Sequence, residues 1–147
     1  MIQVTILAVV LLAALAVGVL LRRREGKIRA ADGIDLSHSA RADLLAAVGV
    51  TGAGPAVLHF SAEWCGPCSA VRRVVANVTD QLAGSPQPPQ DIEVDIDAEP
   101  ALARELNVLS LPTTFVFDTE GRERFRISGV PKATDLHSAL EPLTAAA

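Results

Sequence analysis

The chain has 147 residues, a length that suits one domain with an appendage. It carries 17 acids against 13 Lys and Arg, a net charge of −4, which argues against a nucleic-acid face built of clustered bases. Half of the residues are hydrophobic, and the only cysteines are Cys65 and Cys68, so a framework of structural disulfides is excluded and a redox pair or half a metal site remains. A lone pair of this kind works on either side of a membrane and does not fix the compartment.

The hydrophobic surplus is concentrated at the start. Residues 2–21 read IQVTILAVVLLAALAVGVLL, with Gln3 and Thr5 the only polar side chains and no charge. Twenty residues at helical rise reach about 30 Å, the hydrocarbon thickness of a bilayer. Backbone groups in lipid must bond internally, so 1–21 is expected to be one transmembrane helix. A cleaved signal peptide is the alternative, but it needs positive charge before the apolar core, and here the bases follow it. A buried helix of a soluble domain is a third reading. Arg22, Arg23, Arg24, Lys27 and Arg29 form the only dense basic run. Alone it could be a nucleic-acid patch; directly after an apolar span it reads as a membrane flank, with no nucleic acid involved. The positive-inside rule then places the flank, and the domain behind it, in the cytoplasm. Residues 22–40 form a polar, basic connector with a turn signal at Asp32-Gly33, long enough to let the domain sit a small distance off the membrane.

Residues 41–147 read as one globular domain. Ala40–Val48 has helical spacing with Ser39 as a cap. After a Gly/Pro loop at 51–55, residues 56–60 (AVLHF) suit a buried strand. Trp64 to about Ala83 reads as a long helix, with apolar side chains at Val71, Val74, Val75, Val78 and Leu82. A breaker-rich loop at 84–90 leads to 92–96, which alternates apolar and acidic residues as a half-covered strand does. A short helix over 99–106 follows. Two β runs, 113–117 and 123–127, are joined through the hairpin-like Asp118-Thr119-Glu120-Gly121, and a helix over 132–140 closes the chain. Strand–helix alternation predicts an α/β fold, a mixed central sheet with helices on both faces, parallel pairing inside and an antiparallel hairpin at the edge. No internal repeat is visible.

The chemistry is concentrated in Trp64-Cys65-Gly66-Pro67-Cys68, after a predicted strand and opening a predicted helix. A thiolate is the attacking species, and a helix N-terminus favours negative charge, so Cys65 is expected in the first helical turn. Gly66 leaves room for a partner chain, and Pro67 fits the first turn, where its missing N–H costs nothing. Cys68, three residues on, lies beneath Cys65 and can resolve a mixed disulfide. A zinc site needs two more ligands. Only His38, His59 and His137 are available beyond acids, and none sits near a second cysteine, so no metal is expected. An inert structural pair is the bland alternative.

Ser61-Ala62-Glu63-Trp64-Cys65-Gly66-Pro67-Cys68 resembles the active-site signature of the thioredoxin family. Leu111-Pro112-Thr113 resembles its cis-proline loop, Asp95-Ile96-Asp97 with Pro100 the segment after its central strand, and Gly121 and Gly129 two glycines of its last hairpin. The resemblance covers roughly 34–145. It implies a thioredoxin-like fold and a dithiol–disulfide reductase in which Cys65 attacks and Cys68 resolves. Trp64, Gly66, Pro67, Leu111, Pro112 and Gly129 would surround the bound substrate. Pro112 would be cis and face the cysteines; its bland reading is a strand start. Protein disulfides would be the substrates and a flavoenzyme or other thiol source the electron donor. No cofactor is implied beyond the Cys65–Cys68 disulfide itself.

The sequence departs from the family at three positions. His59 stands where the family buries an acid five residues before the Trp; it either takes part in proton transfer or fills space as a neutral side chain. Glu93 stands where the family often has a Lys, which suggests an inverted His59–Glu93 pair. Arg73 replaces a helix-kinking Pro, and both Arg72 and Arg73 read as solvated. Three functions follow: a reductase facing the cytoplasm; an exchanger on the outer side, in cytochrome or disulfide maturation; or a membrane-bound module that captures a partner without turnover. A cysteine-accessibility assay separates the first two, and insulin reduction the third.

Overall fold

The computed structural model describes residues 2–24, 28–30 and 39–145. Helix α1 (Ile2–Arg24) takes up the whole apolar segment and the three arginines after it. Its described side chains, Ile6, Leu7, Val9 and Leu15 among them, are exposed. Among the described residues no helix is long and apolar enough to cross a membrane. The expected helix is therefore present, without a membrane span being established by it.

The next element was not expected. Strand β1 (Ile28–Ala30) lies inside the stretch read as a connector. Three residues are too few to show alternation, and the basic run around them masks any β signal. The turn read at Asp32-Gly33 lies outside the described residues. Helix α2 (Ser39–Ala47) starts at Ser39, which is thus its first residue and not a cap ahead of it.

Strand β2 (Ala56–Ser61) is buried along its whole length, as its continuous apolar run demands. Helix α3 (Cys68–Gln81), strand β3 (Gln90–Asp95), helix α4 (Pro100–Glu105), strands β4 (Thr113–Phe117) and β5 (Glu123–Ser128), helix α5 (Ala133–Leu140) and a 3-10 turn at Glu141–Leu143 complete the order. Among the described residues the sheet has five strands, in the order β1-β5-β4-β2-β3. β2 and β3 run parallel, joined through α3, while β4, β5 and β1 are added antiparallel. The hairpin turn closes as its residues suggest, with Gly121 at φ 74° and its N–H donating to the Asp118 carbonyl at 2.9 Å.

Alternation along β2 and β4 divides the core. Leu58, Phe60, Phe115 and Phe117 meet Leu45 of α2 and Leu102 of α4 on one face, where Phe60 and Phe115 pack edge to face at 6.0 Å. Val57, Val116 and Ile127 meet Val71, Val75 and Val78 of α3 and Leu136 and Leu140 of α5 on the other. Helices thus cover both faces, as the strand–helix order requires.

Candidate redox site

The site forms where β2 ends and α3 begins. Cys65 and Cys68 are joined in a disulfide, S–S 1.98 Å and Cα–Cα 5.5 Å. The expectation that the helix opens at Trp64 needs correction. Residues 65–67 make a tight turn, with the Cys68 N–H donating to the Cys65 carbonyl at 3.3 Å, and the helix proper begins at Cys68. Gly66 and Pro67 hold the chain in this turn; Pro67 has no N–H to extend the helical ladder backwards. Cys65 therefore sits just ahead of the helix rather than in its first turn.

This placement makes the two sulfurs unequal. Cys65 is half-buried, whereas Cys68 is 3% exposed, with its sulfur 3.9 Å from the Phe60 carbonyl oxygen. On reduction that carbonyl is an acceptor for the Cys68 thiol. A Cβ at Gly66 would meet no atom within 4 Å, so the surface beside Cys65 is open there. Trp64 is 70% exposed, and its indole N–H donates to Asp97 at 3.1 Å, which holds the ring beside the disulfide.

The loop ahead of β4 comes to the same place. The Leu111–Pro112 peptide bond is cis. Pro67, Leu111, Pro112 and Gly129 together line a hollow of about 300 Å³, completed by Ser110, Ser128 and Val130. Gly129 has φ 85°, and its N–H donates to the Pro112 carbonyl at 2.9 Å, tying the hairpin end to the loop. Residues more than fifty positions apart in sequence thus meet around one disulfide.

The proposed His59–Glu93 pair does not form. The two are directly opposite in the β2–β3 ladder, but the buried His59 Nε2 lies 3.0 Å from Asp91 Oδ1. A carboxylate only accepts, so Nε2 carries the proton. Glu93 instead accepts from the Arg72 guanidinium at both carboxylate oxygens, one of these bonds at 2.8 Å from Nε. That fork, with burial opposing it and Ser61 adding a further hydrogen bond, brings the Glu93 carboxyl down to about 2. Arg72 is correspondingly raised by the same carboxylate and is not simply solvated. Glu93 is therefore a permanent anion near neutral pH and a poor proton carrier. Among the described residues no hydrogen bond joins His59 to either cysteine, and no group of three or more His, Cys, Asp or Glu is placed to hold a metal. From the sequence alone Asp91 does not stand out, Arg72 reads as solvated and Asp97 is marked only within Asp95-Ile96-Asp97. Asp91 could have been found, since it shares the outward face of β3 with Glu93 two residues away.

Residues 46–142 match the thioredoxin family as a whole. A thioredoxin-like protein of Synechocystis is 33% identical over 87 residues, covering 59% of this chain and 79% of that protein. The thioredoxin of Mycolicibacterium smegmatis is 40% identical over 67 residues, 43% of this chain but only 55% of its own length. Among solved structures, a mutant thioredoxin from Halobacterium salinarum superposes with a TM-score of 0.58 at 25% identity, covering 69% of this chain and 85% of that one. The thioredoxin of Malassezia sympodialis gives 0.57 at 27%, covering 70% and 85%. The match runs through the strands that carry the Cys65–Cys68 disulfide and the cis-proline loop, and on it this chain belongs to the thioredoxin family of thiol–disulfide oxidoreductases.

Proposed function

We propose that this protein is a membrane-tethered reductase of protein disulfides. The carrying observation is the inequality of its two sulfurs: Cys65 is reachable and Cys68 is 3% exposed. The Cys65 thiolate attacks one sulfur of the substrate disulfide. That bond breaks, a mixed disulfide forms, and the second substrate sulfur leaves as a thiolate and takes a proton. The Cys68 thiolate then attacks the Cys65 sulfur. The substrate departs as a dithiol, and the protein is left with the Cys65–Cys68 disulfide, two electrons having passed. A flavoenzyme or another dithiol donor restores the reduced pair.

The hollow beside Pro67 receives the substrate segment, with the backbone around Leu111 and Pro112 pairing in a strand-like manner and Trp64, Gly66 and Gly129 forming its border. His59 is the proton acceptor for Cys68. It is buried next to Phe60, whose carbonyl faces the Cys68 sulfur, and Asp91 holds its Nε2–H, leaving Nδ1 as the basic atom.

The tether rests on the sequence of residues 2–21, twenty residues without a charge, and on the exposure of the described apolar side chains of α1. The positive charge of Arg22–Arg24 at its end supports, by the positive-inside rule, a domain on the cytoplasmic side. Residues 1–21 are the span and 41–147 the redox domain, while the connector between them is interrupted by β1.

The test is a redox titration against glutathione, read by thiol alkylation, together with reduction of insulin. A potential near roughly −270 mV and turnover on insulin are expected of a reductase; a potential towards roughly −120 mV would make the protein a disulfide donor instead. Labelling of cysteines in intact cells reports the side of the membrane.

A further inference from the structure

We infer that the redox end of the domain is held against the membrane and that its substrates are disulfides carried within about 30 Å of the bilayer by other membrane-anchored proteins. This rests on the tether proposed above. Only residues 25–27 separate the end of α1 at Arg24 from the start of β1 at Ile28. Fully extended, that stretch reaches about 14 Å. Were β1 unpaired, the leash would run to α2 at Ser39 and reach about 50 Å. Antiparallel pairing of Ile28, Arg29 and Ala30 with Ile127, Arg126 and Phe125 removes most of that reach.

The register also fixes which end of the sheet meets the leash. Ile28 is opposite Ile127, and the adjacent Ser128 is opposite Thr113. Thr113 is opposite Phe60, whose carbonyl faces the Cys68 sulfur. The chain therefore enters the domain at the end of the sheet that bears the disulfide. From β1 to β2 is three strand spacings, about 14 Å. Leash and lateral offset together keep the disulfide within about 30 Å of the helix end, roughly the width of one small domain. A soluble globular partner would have to enter that gap, whereas a disulfide on a short juxtamembrane segment of another membrane protein is already in it. Two-dimensional confinement then raises the effective concentration of such a partner.

The experiment reconstitutes the full chain in phosphatidylcholine vesicles with one of two single-span reporter peptides. Both carry the same disulfide loop, either directly after the span or on a helical (EAAAK) stalk of about 60 Å. Dithiothreitol is supplied at a level that alone leaves both oxidised. The near reporter is expected to be reduced at least tenfold faster than the far one. A forty-residue Gly/Ser insertion within 25–27 is expected to bring that ratio below threefold while reduction of a soluble disulfide peptide is unchanged. Flotation of the vesicles is read in parallel. Co-flotation with equal rates on the two native-leash reporters overturns this inference alone; failure to co-float overturns the tether and the inference with it.

Discussion

The two ends of the sheet are built on opposite plans. At the redox end the exposed apolar side chains of the domain gather, Trp64 and the 86% exposed Leu109 among them, and the polar ties are to exposed or part-exposed groups, such as Trp64 to Asp97 and Arg72 to Glu93. At the far end charge is buried. Glu123, 2% exposed, accepts from Arg41 at 2.9 Å and from Arg126 at 2.9 Å, and Arg126 also lies over the Phe115 ring at 4.6 Å. In the adjacent turn, Asp118 accepts the N–H groups of Glu120 and Arg122 and the guanidinium groups of Arg122 and Arg124. Burial raises the Asp118 carboxyl, and these hydrogen bonds outweigh it, leaving it below its ordinary value. The difference teaches a division of labour: one end stays open to be bound, and the other holds the hairpin and α2 in place through buried charge.

Substitutions at the two ends should therefore separate activity from stability. The largest effect is expected of Cys65→Ser, which should lower insulin reduction by about 10³-fold or more while barely moving the urea midpoint relative to the reduced protein. Glu123→Ala should do the reverse. It strands the 5% exposed Arg41 and should cost about 3–5 kcal/mol in urea unfolding, with the potential of the surviving folded protein unchanged. A small loss there would mean that the buried charges are not what locks that end.

His59→Gln keeps a donor for Asp91 but no basic nitrogen. It should slow release of the mixed disulfide about 10²-fold. An unaltered rate would reduce His59 to a space-filling role. Asp118→Ala leaves two turn N–H groups without their acceptor and should cost about 1–3 kcal/mol, read as a lower urea midpoint, with turnover intact. The smallest effect is expected of Glu93→Gln. Glu93 is held at about 2 in the folded protein, so its contribution is present above the ordinary carboxylate range and is lost as pH falls towards 2. The variant should melt a few degrees lower near neutral pH and coincide with the native protein near pH 2. A difference that persisted at pH 2 would show that packing, not charge, ties Glu93 to Arg72.

The sequence was most legible where local chemistry is strong. Apolar runs located β2 and β4, the period of α3 was visible in Val71, Val75 and Val78, and Gly121 marked the hairpin. The disulfide pair and the cis-proline loop could be anticipated because short motifs with fixed spacing carry them. Legibility failed where tertiary competition decides. His59 and Glu93 are neighbours in the ladder, so pairing them was reasonable from register. A guanidinium from α3 nevertheless captured Glu93, leaving the imidazole to Asp91. β1 was hidden for another reason: its pairing with β5 is long-range, and three residues among Lys and Arg carry no pattern of their own. The start of α3 moved because Pro67 stops the helical ladder from running back to Trp64.

Trp64 has an optical consequence. It is the only tryptophan, and the chain has no tyrosine, so nearly all near-ultraviolet emission arises beside the disulfide, from a ring held by Asp97. A melt followed by fluorescence therefore watches the open end alone, while circular dichroism averages the whole domain. If the locked end is the more stable of the two, the fluorescence signal should be lost first on heating, and the gap between the two curves would measure how far the protein departs from all-or-none unfolding.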